Sequence, residues 1–441
     1  MDTTTAAAEP SSSPFTLPVD PGPSWNVPRI SLPGCMGVLR QYQTEWWYYV
    51  GHAFTAEGEE FSLQFEFLRA ELFGDVDLQV VAGPVGIGTR STGEFVWAPG
   101  YGFGVAEHHD LLNSLAVLPA TDTQYALDLK PLFGSQLSVR YTGGAPLATV
   151  GSTYQLQASG EHAGAPFSIV LYFTDRRGLV MEGSSGYVGP GMSSGGSGGL
   201  GAGSYEFAQP RLEIDGGILE LGGKLHMLAG GMLWNDRQVL TNPAPPPAGE
   251  VDRTRPDLAL AKASSTSLYR GCWLAVTLKN GVSMALAVFW QKPLEGQKQW
   301  VTGTKVGRPP RGGFGTVYLP AGAGESYGDR NGGRPIRGAD EQGPHDFDLN
   351  ILDPDRRYES PHWKSASSEH TYSTGWWLTF DSRLRELGVP ENLYLRAVVD
   401  GCENLLPDAE NAFWEGAANI YAWREGGEVI GHAFVEQMGF D

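Results

Sequence analysis

Gln41-Tyr-Gln-Thr-Glu-Trp-Trp-Tyr-Tyr-Val-Gly-His52 is the densest run of chemistry in the chain. Four consecutive aromatics, Trp46 to Tyr49, follow a carboxylate at Glu45 and precede the imidazole of His52. In an extended chain side chains alternate, so Glu45, Trp47 and Tyr49 point one way and Trp46, Tyr48 and Val50 the other. Both faces are aromatic. That describes a strand buried on two sides, or one lying between a core and an aromatic-lined cavity. Glu45 shares its face with two rings, and a carboxylate held there is either hydrogen-bonded and structural or a tuned acid or base.

The same habit continues outward from this strand. Phe61-Ser-Leu-Gln-Phe-Glu-Phe-Leu-Arg69 puts Phe61, Leu63, Phe65 and Phe67 on one face and Gln64 and Glu66 on the other. The polar link Thr55–Glu60 suits a hairpin between the two runs. Glycine (60 residues), proline (30) and aromatics (11%) are abundant, and few stretches carry a helical period. Short aromatic and β-branched runs punctuated by Gly, Pro and Asn-Gly predict an all-β fold. Lys279-Asn-Gly-Val282 is a strong hairpin turn between Cys272–Leu278 and Ser283–Trp290. A short helix is expected within 107–118, and one helical turn at 382–386. The Pro-rich stretch 241–257 is the best boundary. The expected organisation is an N-terminal arm (1–24), a β domain (25–240), a linker (241–257) and a second β domain (258–441). The glycine-rich stretch 183–204 lacks the following helix and the Lys or Arg of a phosphate cradle, and reads as a mobile loop by a pocket or a plain linker.

Composition excludes several functions. The net charge of −19 argues against nucleic acid, which needs a concentrated basic surface. Three widely spaced cysteines make neither a disulfide framework nor a zinc site. His108-His109-Asp110 diverge along an extended chain and His362 and His370 lack further ligands, so no metal site is expected. The N-terminus carries no secretory signal pattern and no apolar run reaches membrane-spanning length, so a cytoplasmic location is expected. No GxSxG elbow is present.

The motifs QTEWWYYVGH (43–52), QFEFLR (64–69), GMLWNDRQ (231–238), SPHWKSASSEHTYSTGWWL (360–378), FWEGA (413–417) and GHAFVEQMGFD (431–441), in this order, resemble the carotenoid 1,2-hydratase (hydroxyneurosporene synthase, AttH-like) family. The resemblance spans about residues 40 to 441. It implies two lipocalin-like antiparallel β-barrel or sandwich domains with a ligand cavity at or between them, and no cofactor. It also implies an apolar small-molecule substrate, and places the family's proposed catalytic carboxylate at Asp236. Members hydrate isolated alkenes of carotenoids and prenylated phenolics, and distant relatives are Diels-Alderase-type cyclases. Asn235 and Val239, and the long insertions 183–204 and 305–345, depart from the common pattern and leave the substrate open.

Hydrating an isolated alkene takes a proton donor able to make a tertiary cation, then a water. A buried carboxyl stays protonated near neutral pH, and aromatic faces stabilise a cation by about 0.5 to 2 kcal/mol per contact. The expected catalytic residues are Asp236, with Glu45 as orienting partner or structural acceptor. The expected substrate-binding residues are Trp47, Tyr49, Gln64, Trp234, His226, Trp377 and Trp414, with Trp47 the ring of the aromatic run that faces the ligand. The activity expected is protonation and then hydration or cyclisation of a polyene, prenyl or terpenoid chain. The alternatives are a pericyclase, needing a shaped cavity and one or two hydrogen-bond donors from Tyr48, Tyr49, Gln64 or Trp234, and a non-catalytic lipocalin-like carrier.

Overall fold

The computed structural model describes residues 33–39, 42, 44–71, 78–105, 115–182, 186, 204–240, 269–291, 312–320, 333–338, 345–350, 361–405 and 412–438. The arm 1–24, the linker 241–257, His108-His109-Asp110 and most of 183–204 lie outside them. Among the described residues nearly everything regular is antiparallel strand. A 15-stranded sheet is drawn from residues 44–240 and a 10-stranded sheet from residues 269–438. The first forms a half-barrel and the second a nearly closed barrel, the lipocalin-like pair that the motifs implied. No helix among the described residues is long and apolar enough to cross a membrane.

Nine strands position the site, numbered here in chain order. In the first sheet they are β1 (Thr44–Thr55), β2 (Glu60–Glu71), β3 (Ser204–Leu221) and β4 (Lys224–Leu240). In the second they are β5 (Tyr269–Leu278), β6 (Ser283–Gln291), β7 (Gly312–Tyr318), β8 (Phe413–Tyr421) and β9 (Val429–Met438). The side-by-side order is β3-β4-β1-β2 in one sheet and β7-β6-β5-β9-β8 in the other. Each sheet thus pairs an early strand with a late one. Tyr48 of β1 sits between Asp236 of β4 and Glu66 of β2.

Alternation along β1 works as the sequence predicts. Trp47 and Tyr49 join Phe61, Phe65, Phe67 and Phe207 in the interior of the half-barrel. Tyr48 and Val50 face the other way and pack with the core that includes the second sheet. That second core is filled by Leu274, Val276, Leu286, Trp376 and Trp414 among others. Burying a side chain of this size contributes about 1.5–3 kcal/mol, so each sheet has its own reason to fold.

Local expectations met the structure unevenly. The Asn280-Gly281 turn forms, with Gly281 at φ +95 and the Val282 N–H donating to Asn280 Oδ1 at 3.1 Å. Ser382–Leu387 makes a short 3-10 helix, capped by the Asp381 side chain and ended by Gly388 at φ +83. The helix expected within 107–118 is corrected at its described end, where Leu115–Thr121 is a strand with Val117 opposite Leu127 across a tight turn, while 107–114 lie outside the described residues. Pairing with the Gln124–Leu129 strand outweighed a run of weak local preference.

Candidate active site

The two sheets pack face to face with their strands aligned, a usual arrangement of stacked sheets. At one end the contact is tight. The rings of His52 and His432 stack with centroids 3.6 Å apart. Asn419 Nδ2 donates to Glu60 Oε2 at 3.2 Å, and the Ala417 N–H donates to Ser62 Oγ at 2.8 Å. One step further along, Gln64 of β2 donates to Glu415 of β8. Beyond this, Trp234 packs on Trp273 and Tyr318 across the sheets. Trp46, Tyr48 and Gln238 on one side and Trp273 and Glu436 on the other are only half-buried, although they lie in the middle of the interface.

Two rows of side chains face each other here. Pairing register aligns Asp236, Tyr48 and Glu66 in the first sheet. It aligns Trp273, Glu436 and Glu415 in the second. Glu206 of β3 lies beside Gln238, and Glu182 is tied to it through its own N–H, which donates to the Glu206 carbonyl at 3.0 Å. Six carboxyls therefore meet between the sheets, and all are pushed up, chiefly by burial. Asp236 and Glu66 rise to about 7, Glu206 and Glu436 to about 8, and Glu182 and Glu415 well above their usual range. Glu415 shares a proton with Glu66, and Glu182 with Glu206, because a carboxyl beside a carboxylate donates rather than ionises. Burial and these acids also keep the Tyr48 phenol protonated.

Asp236 differs from the two pairs. Its Oδ2 accepts from Gln238 Nε2 at 2.8 Å, while Oδ1 has no hydrogen-bond partner. Gln238, the nearby Trp234 indole N–H and the charge of Arg237 oppose the upward push of burial on Asp236 without cancelling it. The indole nitrogen of Trp273 is also buried without a partner, while the Trp234 N–H approaches Asp236 and the Tyr318 hydroxyl approaches Thr316. The Trp234 ring packs on Trp273 (6.3 Å, edge-on) and on Tyr318 (6.1 Å). Unpaired buried donors are uncommon, and each costs about 1–3 kcal/mol. Among the described residues no group of three or more His, Cys, Asp or Glu is arranged to hold a metal ion.

The structure sorts the expected site residues by face. Asp236, Trp234 and Gln64 lie between the sheets, as do Trp46 and Tyr48. Glu45, Trp47 and Tyr49 lie on the far face of β1. The expectation that Trp47 faces the ligand is corrected: its indole donates to the Met36 carbonyl at 2.9 Å, under the Arg237 guanidinium 3.8 Å from its ring centre. Glu45 accepts from Arg69 Nε at 2.9 Å, from Arg237 and from the Leu39 N–H, a fully buried ion pair turned away from Asp236. Tyr49 bonds Tyr125 at 3.2 Å inside the half-barrel.

Three more expected residues lie elsewhere. His226 sits edge-on to Phe61, about 30 Å along β4 from Asp236 at the usual rise per residue. Trp377 packs tilted on Tyr394 and edge-on to the exposed Trp423 on the outside of the second sheet. Trp414 packs on Trp376 inside the second barrel. Sequence reasoning did not single out Glu66, Glu182, Glu206, Glu415, Trp273 or Tyr318. The signal available was a carboxylate in the middle of an aromatic strand, as in QFEF and FWEGA.

Fold and site together define a class: a two-barrel lipocalin-like β protein with an acid-lined, aromatic layer between its sheets. Known structures share the architecture. A putative AttH from Nitrosomonas europaea aligns with TM-score 0.58 and 16% identity over 96% of this chain and 99% of its own. Kievitone hydratase from Nectria haematococca aligns with TM-score 0.51 and 14% identity over 94% of each chain. These likenesses agree with the family that the motifs resemble and establish the fold. No protein-family profile and no curated protein sequence matches the chain.

Proposed function

We propose that this protein is an enzyme of the hydratase or cyclase type, with Asp236 giving its proton to an alkene of a polyene, prenyl or terpenoid chain. The observation that carries the reading is the state of Asp236. It is a buried carboxyl between the sheets, pushed up to about 7 chiefly by burial, with one oxygen held by Gln238 and the Trp234 indole N–H nearby. The neighbouring arginine is spent on Glu45, so no cation forces Asp236 to ionise. As the proton leaves, Gln238 supports the carboxylate being formed. The rings of Trp234, Trp273 and Tyr48 stand where a cation would develop, and such faces favour it. Kievitone hydratase, similar in fold, is by its name a hydratase, which agrees with this assignment.

Asp236→Asn is expected to abolish turnover, while far-UV circular dichroism and thermal unfolding stay close to wild type. Product made in heavy water is expected to carry one solvent deuteron. A fully active Asp236→Asn enzyme would refute the assignment. A second reading, pericyclic ring closure, is favoured by the unpartnered indole donor of Trp273, which could polarise a substrate carbonyl. It requires product free of solvent deuterium and an Asp236→Asn variant that keeps substantial activity.

A further inference from the structure

Protonating an alkene is half of a hydration; the water that follows must lose a proton to something. We infer that Glu66 is the base that takes it, with Gln64 and Glu415 as its positioning residues, an inference that rests on Asp236 being the donor. Glu66 and Asp236 flank Tyr48 on adjacent strands in one row on one face. They are two inter-strand steps apart, about 10 Å. A donor and a base that far apart leave room for a reacting group with a water behind it. Tyr48 between them and Glu436 of the facing sheet are only partly buried.

Glu66 accepts from Gln64, and Gln64 and Glu415 oppose the burial that pushes its carboxyl up to about 7. Asn404 Nδ2 donates to Glu415 at 3.3 Å and Gln64 reaches the same carboxyl, so the pair is braced from both sheets. Asp236 accepts from Gln238 and has the Trp234 indole N–H beside it, and burial pushes it up to about 7 as well. The row therefore holds two carboxyls of similar proton affinity, one on each side of Tyr48, so that one can give a proton while the other receives one.

The step balances. The alkene π pair takes the Asp236 proton at the less substituted carbon and leaves a tertiary cation. A water oxygen forms the C–O bond, and its extra proton passes to the Glu66 carboxylate. The net change is alkene plus water to tertiary alcohol, with one proton moved from Asp236 to Glu66. Glu436, an electrostatic neighbour of both, offers the return path.

The test uses the full chain in heavy water with a panel of prenylated phenols and polyenes, each bearing a trisubstituted alkene. Wild type is expected to form alcohol carrying one deuteron. Glu66→Gln is expected to lose alcohol formation at least a hundredfold while recovered alkene still gains deuterium at its vinylic carbon, because Asp236 still gives and retakes a proton. Glu66→Asp should restore part of the hydration, and Asp236→Asn should lose both signals. A Glu66→Gln enzyme that hydrates at the wild-type rate overturns the inference and leaves the Asp236 reading standing. So does a folded Glu66→Gln enzyme, checked by circular dichroism, that loses exchange along with hydration. Wild type that leaves the whole panel unlabelled overturns the donor reading and this inference with it.

Discussion

Asp236 and Arg237 are adjacent in sequence, and one peptide step puts them on opposite faces of β4. Arg237 and Arg69 clamp Glu45 inside the half-barrel, where the carboxylate accepts at least four hydrogen bonds. Asp236, on the other face, meets rings and other acids. Two acidic side chains near the aromatic run thus meet opposite surroundings: Glu45 is clamped by two arginines, whereas burial pushes Asp236 up to about 7. Removing one partner of a buried ion pair leaves an uncompensated charge, which costs about 3–5 kcal/mol. Glu45→Gln should lose stability of that order in urea unfolding. The protein that remains folded should still show the Asp236-dependent uptake of solvent deuterium. A variant as stable as wild type would mean that the arginines find other acceptors.

At the scale of elements, β1 organises the first sheet because both its faces are spoken for and both its edges are paired. Close approach to β4 needs glycine. Gly231 has φ +142, and a Cβ there would lie 2.2 Å from the His52 carbonyl oxygen and 2.7 Å from the Ala53 Cα. Backbone cannot give as a side chain can. Gly231→Ala should cost about 2 kcal/mol or more, from strain and clash together, read as a lowered thermal midpoint. Gly58, in the β1–β2 turn at φ +90 with nothing within 4 Å of its added Cβ, provides the contrast. There an alanine should cost only the strain, about 1 kcal/mol. Equal losses at the two positions would count against the close-approach explanation.

For the whole molecule, six inter-sheet acids make stability depend on pH in an uncommon direction. In the unfolded chain these groups ionise near pH 4; folded, they hold protons to about pH 7 or beyond. Between those limits the folded state binds more protons, so stability is greatest at low pH and falls as pH rises. Asp175, raised to about 6, acts in the same direction. His52 and His432 act oppositely. Burial depresses both, His432 to about 4, so their stabilisation is lost as pH falls below the usual histidine range. Two histidines against six acids leave the acids dominant. The thermal midpoint should be higher at pH 5.5 than at pH 8.5, by roughly 5 °C or more at about 2–4 °C per kcal/mol. A midpoint that rises toward pH 8.5 would mean that the carboxyls ionise and hydrate within the folded protein.

The sequence alone carried the strand content, the hairpin at Asn280-Gly281 and the alternation that splits Glu45, Trp47 and Tyr49 from Trp46, Tyr48 and Val50. These are local consequences of side-chain period and turn chemistry. The expectation at Asp236 came from the resemblance of GMLWNDRQ to a known family rather than from the residue pattern itself. The sequence could not tell which face of β1 met the second sheet. Both faces are aromatic, and only the packing of the second sheet against β1 and β2 breaks that symmetry. Trp47 and Trp46 exchanged roles on this point. The acids followed the same rule. Glu66, Glu206, Glu415 and Glu436 come from strands far apart in the chain, and nothing local to any one of them announces a shared proton. Strand register brings Glu66 and Asp236 to the two sides of Tyr48, and sheet packing sets Glu436 above it. Proton affinity in the interior depends on the neighbours a carboxyl loses water to, and tertiary structure alone decides those.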